Sequence, residues 1–243
     1  MLTAQQKIGD IVLENINVAA VFDEYGFDYR CHGNIRLADA CKIGFIDGSK
    51  VVRDIKETSK GDSLRRIAQG KTEDLIDYII EHHHGYVKRS TPAILLHLAN
   101  IAALFGTNYP VLHEAHTVFS RIARDIHKHT AKEENILFSS IKTLVECSEN
   151  NLALPVFAFG SVTDLVAALQ YEHEVAGNEM IKIRQIVKDL ATIGRTEAAI
   201  ASVCKELQDF ERDLDYHILL ENYVLFPRAA NLEKELRSAN QIQ

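Results

Sequence analysis

His129 and Glu133 stand four residues apart, and so do His217 and Glu221. On a helix, positions i and i+4 share one face with Cβ atoms about 5–6 Å apart, so each pair can grip one metal ion or bridge two. A lone His-x3-Glu pair is usually a surface ion pair. Here each pair is followed at the same distance by Leu-Phe, Leu137-Phe138 and Leu225-Phe226. That turns both pairs toward the inner side of an amphipathic helix. The two copies lie 88 residues apart, and a second echo, His84 with His173, lies 89 apart. The repeated set is His84, His129, Glu133, His173, His217 and Glu221. Burying four imidazoles and two carboxylates without a cation would cost several kcal/mol. Two histidines per ion and two shared carboxylates leave room, in about six-coordinate geometry, for a bridging oxide or hydroxide and an open position. Such a set suits iron best, with manganese and zinc as alternatives. The expected cofactor is two iron ions, bridged by oxide or hydroxide and by Glu133 and Glu221.

The remaining histidines are read as bystanders. Only one of His82, His83 and His84 should face the core, because neighbours on a helix point in different directions. The repeat selects His84. His113 and His116 precede the ligand pair on the same helix, His127 should be solvated, and His97 in its apolar run reads as a packed core histidine. Glu134, Glu172 and Glu174 are either solvated or partners that orient ligand imidazoles.

These residues need long helices to hold them. Beyond residue 72 glycine and proline thin out, and helical periodicity predicts four helices, at about 73–105, 109–147, 162–193 and 196–226. Pro92 should kink or interrupt the first, Thr196 cap the last after the turn at 194–196, and Pro227 mark the approach to its end. The fold class is all-α, an up-down-up-down four-helix bundle with pseudo-symmetric halves. It is preceded by a small helical domain at 1–58 carrying Cys31 and by a polar linker at 59–72. The bundle spans 73–233 and a tail 234–243. All six ligands lie beyond the linker, so the bundle is expected to hold metal by itself.

The chain has 243 residues, a formal charge of −7 and a pI near 5.9, and 47% of its residues are hydrophobic. A mildly acidic surface lacks the electrostatic footprint for nucleic acid or an anionic membrane. No apolar run is long enough to span a bilayer, and Asp10 and Glu14 interrupt the N-terminal segment, so a cytoplasmic setting is expected. The four cysteines lack CxxC spacing and should be reduced there. A homodimer is compatible with this composition.

The bundle resembles the hemerythrin-like domains, which hold an oxo-bridged di-iron centre. Its combination with the segment from Phe22 to Cys41, which contains Arg30-Cys31-His32-Gly33, is similar to the RIC family of iron-sulfur cluster repair di-iron proteins. By that resemblance the six residues fall on the metal-ligand positions, with Glu133 and Glu221 bridging. The implied function is repair of stress-damaged iron-sulfur clusters by iron donation, with damaged iron-sulfur proteins as clients. That describes an iron donor rather than a turnover enzyme. An oxygen or nitric oxide binding or sensing module, or a nitric oxide reducing di-iron enzyme, is the alternative. The family typically has two adjacent cysteines followed by two glycines, of which one cysteine and one glycine are replaced here. Relatives also often carry a histidine before the glycine of Leu104-Phe105-Gly106. Cys31 remains, either as a redox or iron-transfer thiol or as a small buried hydrophobe of the helical domain. Beside Arg30 it is expected to be partly exposed and thiolate-prone.

Overall fold

The computed structural model describes residues 2–61, 63–193 and 197–240, and among them every regular element is helical. The N-terminal segment folds into α1 (Ile8–Glu14), α2 (Val18–Glu24), α3 (Leu37–Ile43) and α4 (Gly48–Glu57). Asp47 caps α4 by accepting a hydrogen bond from the Ser49 amide at 2.9 Å. A short helix, α5 (Arg65–Ala68), lies within the expected linker, where the Leu64 amide donates to the Leu13 carbonyl at 3.0 Å.

The first bundle helix runs unbroken as α6 (Thr72–Tyr78), a π-helical turn (Ile79–His84) and α7 (Gly85–Phe105). Pro92 sits inside α7 without interrupting it. The second comprises α8 (Val111–Lys132), a π turn (Glu133–Leu137) and α9 (Phe138–Glu149). The third is the single helix α10 (Val162–Ile193). The fourth comprises α11 (Ala198–Leu220), a π turn (Glu221–Leu225) and α12 (Phe226–Asn240). The expected turn at 194–196, with its Thr196 cap, lies outside the described residues. Helix α7 packs on α8, α8 on α10, α10 on α11 and α11 back on α7, which is the cyclic order of an up-down-up-down bundle.

Pro227 does not end the fourth helix, which continues to Asn240. The proline ring meets the carbonyl four residues earlier, at Tyr223, and that residue lies in the wider π turn, where the ring has more room. The tail expected from 234 is therefore helical through 240, with Leu236 buried. Just before it, Glu233 caps α10. Its carboxylate accepts from the Val162 amide at 3.0 Å and from the Thr163 amide at 2.9 Å.

The core forms two apolar clusters. One, at the far end of the bundle, joins Val87, Leu98, Phe119, Leu207 and Phe210. The other joins Leu75, Phe138, Leu219 and Phe226 with Val12, Phe22, Tyr29 and Leu37 of the N-terminal helices. The expected separateness of residues 1–58 is thus not reflected in the core, which runs from these helices into the bundle. Gly33 marks a close approach of the N-terminal segment to the bundle. A Cβ there would lie 2.4 Å from the Tyr29 carbonyl oxygen and 2.8 Å from the Tyr223 ring. Its amide donates to the Tyr223 hydroxyl at 2.5 Å.

Candidate metal centre

The six residues singled out by spacing converge between the two apolar clusters, and all are buried, with His84, Glu133, His217 and Glu221 at 0% exposure. Three of the four bundle helices carry a π turn at this level. His84 ends one such turn, and Glu133 and Glu221 each begin one. A π turn adds a residue to the local repeat and rotates side chains into line that an α-helix would splay apart, a device common at functional sites. The helix carrying His173 has no such turn, so the pseudo-symmetry suggested by the 88-residue repeat breaks there.

Two groups of four donors form, and they share both carboxylates. One is His84, Glu133, His217 and Glu221, and the other is His129, Glu133, His173 and Glu221. Glu133 spans them oxygen by oxygen. Its Oε1 lies 3.0 Å from His129 Nε2 and 3.9 Å from His173 Nε2. Its Oε2 lies 3.4 Å from His84 Nε2 and 3.7 Å from His217 Nε2. Glu221 Oε2 lies 2.9 Å from His217 Nε2 and 3.2 Å from His173 Nε2.

The outer partners fix which imidazole nitrogen faces inward. His84 Nδ1 donates to Glu134 at 2.8 Å, and His129 Nδ1 donates to Glu172 at 2.8 Å. A carboxylate only accepts, so the proton sits on Nδ1 and the Nε2 lone pair points into the site. His173 Nδ1 donates to Asn222 Oδ1 at 3.0 Å, and the amide is oriented by its Nδ2, which donates to the Arg30 carbonyl at 3.0 Å. With neutral imidazoles, lone pairs then meet head on where His129 Nε2 is 2.9 Å from His173 Nε2. His84 Nε2 is 3.3 Å from Nε2 of His217, whose Nδ1 has no hydrogen-bond partner. All four oxygens of Glu133 and Glu221 are buried without a hydrogen bond, despite the nearby imidazoles. Converging lone pairs and unsatisfied carboxylate oxygens fit cations.

Without a cation the buried groups shift one another's proton affinity. Burial alone would lower the His129 pKa, but Glu133 and then Glu172 overcome it and push it up to about 10. Burial would raise both shared carboxyls, yet the surrounding imidazoles hold Glu133 and Glu221 below the usual carboxylate value. His217 is driven well below the ordinary histidine value by burial, reinforced by His84, His83 and His173 around it.

Chain comparison bears on this geometry. Residues 75–229 match the model of the hemerythrin HHE cation-binding domain. The chain belongs to that family. Residues 4–59 match a second model, ScdA_N, described as a domain of unknown function. Most of the chain is similar to a probable iron-sulfur cluster repair protein of Haemophilus influenzae, 22% identical over 95% of this chain and 99% of the relative. It is also 22% identical to the iron-sulfur cluster repair protein ScdA of Staphylococcus haemolyticus, over 93% and 98%. The repair protein YtfE of Salmonella typhimurium is 23% identical, over 94% and 98%. As a member of the hemerythrin family, the chain carries its cation-binding function on a helical bundle. No helix among the described residues is long and apolar enough to cross a membrane.

Several expectations about neighbouring residues need correction. His83 is buried along with His84, because the π turn brings consecutive residues closer to one face. Its Nδ1 is 3.0 Å from Asp213, and its ring stacks on His217 with centroids 5.9 Å apart. His97 is exposed and ion-paired to Glu206 at 2.8 Å rather than packed in the core. His127 is exposed, as expected, with Nε2 2.8 Å from the Thr91 hydroxyl. Glu134 and Glu172 hydrogen-bond to the imidazoles of His84 and His129, whereas exposed Glu174 lines a cavity of about 320 Å³ beside Cys31. Asn222 was not singled out by sequence, since nothing local marks a residue one position after Glu221 as a partner of His173.

Cys31 is partly exposed but not thiolate-prone. Burial, Asp28 and Glu174 push its thiol up to about 12, against a smaller opposing effect of Arg30. The Arg30 guanidinium is turned away, onto Asp215 and Asp23. Cys41, Cys147 and Cys204 are buried. In the native protein at pH 7, Cys31 should alkylate first of the four yet much more slowly than an unfolded cysteine, as read by mass spectrometry over time. Alkylation of Cys31 at the unfolded rate would show that this environment is wrong.

Proposed function

We propose that this chain is a di-iron protein that repairs damaged iron-sulfur clusters by donating iron. The observation that carries this is the pair of four-donor groups sharing two buried carboxylates whose oxygens have no hydrogen bonds. His84 and His217 would hold one ion, His129 and His173 the other, and Glu133 and Glu221 would bridge them, with an oxide or hydroxide completing the bridge. Bound iron supplies the cargo for cluster repair. The chain's own residues keep the imidazole lone pairs directed inward through Glu134, Glu172 and Asn222. The names of the similar repair proteins support the same client class, damaged iron-sulfur proteins, and the setting would be the cytoplasm.

A second reading, binding of oxygen or nitric oxide, is favoured by one observation. A cavity of about 410 Å³, walled by Ile122, Ile126, Val175 and Leu214, reaches His129 and His173. Small apolar molecules partition into such a space. The Lys132–Glu172 ion pair stands on its wall.

One experiment separates these readings. Anaerobically iron-loaded protein is mixed with a protein whose cluster has been damaged, and iron is followed in both. Under the repair reading the donor loses iron as cluster absorbance returns in the acceptor. Reversible gas binding with iron retained supports the second reading instead. Steady consumption of nitric oxide with an added reductant supports an enzyme. Metal content at background after iron loading would overturn all three.

A further inference from the structure

The N-terminal segment touches the candidate metal centre through one continuous set of buried contacts. His173, 1% exposed, donates from Nδ1 to Asn222 Oδ1 at 3.0 Å. Asn222 in turn donates from Nδ2 to the Arg30 backbone carbonyl at 3.0 Å. That carbonyl belongs to a residue anchored by its own side chain. The Arg30 guanidinium pairs with Asp215 through both Nε and Nη2, the latter at 2.6 Å, and Nη2 also lies 2.8 Å from Asp23. Tyr29 donates its hydroxyl to the same Asp215 at 3.2 Å, and its ring lies under the guanidinium at 4.3 Å. Arg30 and Asp215 are 8% and 6% exposed, so this pair is screened from water on both sides. Gly33, three residues on, is pinned to Tyr223 beside Asn222.

We propose that the N-terminal segment is a clasp on the metal centre. Docked through Arg30 on Asp215, it fixes Asn222 and thereby the His173 imidazole, so the rate of metal release depends on whether the segment stays docked. The physical basis is the outer partner of a ligand imidazole. Such partners set ring orientation and basicity, and losing one typically lowers metal affinity 10–100-fold. Glu134 and Glu172 are themselves residues of the bundle helices. The Asn222 amide is the outer partner whose orientation is set by a residue outside the bundle. Undocking removes the acceptor of its Nδ2, frees the amide to rotate, and releases His173 from its inward-facing tautomer. Arg30 is therefore a positioning residue for a ligand it does not touch. Its place in the sequence beside Cys31 is explained by the ion pair rather than by thiol chemistry.

The inference rests on the reading of the six residues as a metal centre, and its test does not depend on iron transfer to a client. Full-length protein is loaded with ferrous iron anaerobically, and release to an excess of a coloured chelator is timed. Asn222→Ala should accelerate release from the His129–His173 group about 10–100-fold. Arg30→Gln, which keeps the bulk of the side chain but ends the ion pair, should accelerate it in the same direction. Hydrogen exchange at the Gly33 amide reports docking directly and should rise in Arg30→Gln. The double variant should release no faster than Asn222→Ala alone, because both changes act on one path. Unchanged release in Arg30→Gln despite faster Gly33 exchange would overturn the clasp. So would multiplied effects in the double variant. If Arg30→Gln does not fold, Asp23→Asn removes the more exposed partner of the same guanidinium. It should then give a smaller acceleration, and wild-type release would again overturn the clasp. Failure of iron transfer with these release rates intact would remove the repair reading and leave the clasp standing.

Discussion

Glu133→Met should bring the metal content of the iron-loaded protein from about two ions per chain, one for each four-donor group, down to background. Both groups depend on this carboxylate, because Oε1 faces the His129–His173 pair and Oε2 faces the His84–His217 pair. His173→Ala or His217→Ala should cost chiefly one ion, since each imidazole belongs to a single group. His82→Ala, on the exposed side of the same turn, should cost none. Stability gives a second readout. Metal at a thousandfold its Kd stabilises a folded protein by about 4 kcal/mol per site. For a chain of this size that corresponds to a shift in Tm on the order of 15–30 °C for two sites. Chelation should produce such a fall in the wild type and none in Glu133→Met. Elemental analysis and thermal scans with and without chelator measure all of this. A Glu133→Met protein that still holds two ions would show that the carboxylate is not the shared bridge.

Deleting residues 1–58 should leave a bundle that does not hold its native core, contrary to what the position of the ligands implies. The deletion removes Val12, Phe22, Tyr29 and Leu37 from an apolar cluster they share with Leu219 and Phe226. Full burial of a large apolar side chain is worth about 1.5–3 kcal/mol. The bundle surface these residues covered is exposed as well, and Asp215, Asn222 and Tyr223 lose Arg30 and Gly33 as partners. The total exceeds about 5 kcal/mol, which is comparable with the whole stability of an ordinary domain. A fragment beginning at Ser59 should therefore be unfolded or aggregated when metal-free, by circular dichroism and size exclusion. A metal-free fragment melting within about 5 °C of the full chain would refute this.

Everything that repeats at helical period was legible in the sequence. His129 and Glu133, like His217 and Glu221, face one way because i and i+4 share a face, and the 88-residue offset placed the two pairs opposite each other in the bundle. The all-helical class, the four long helices and the six converging residues follow from that local arithmetic. The errors came where the period changes or where the partner is distant. An α-helical repeat admits only one of His82, His83 and His84 to the core, and the π turn admits two. The same kind of turn carries the fourth helix past Pro227. His83 meets Asp213 across 130 residues, His173 meets Asn222 across 49, and Arg30 meets Asp215 across 185. No spacing rule reaches over such distances, because the contacts are set by how helices pack and not by how one helix winds. For the same reason Arg30, which by adjacency should have activated Cys31, instead binds a buried carboxylate of the bundle. That the N-terminal segment and the candidate metal centre rest on one core is set by helix packing alone.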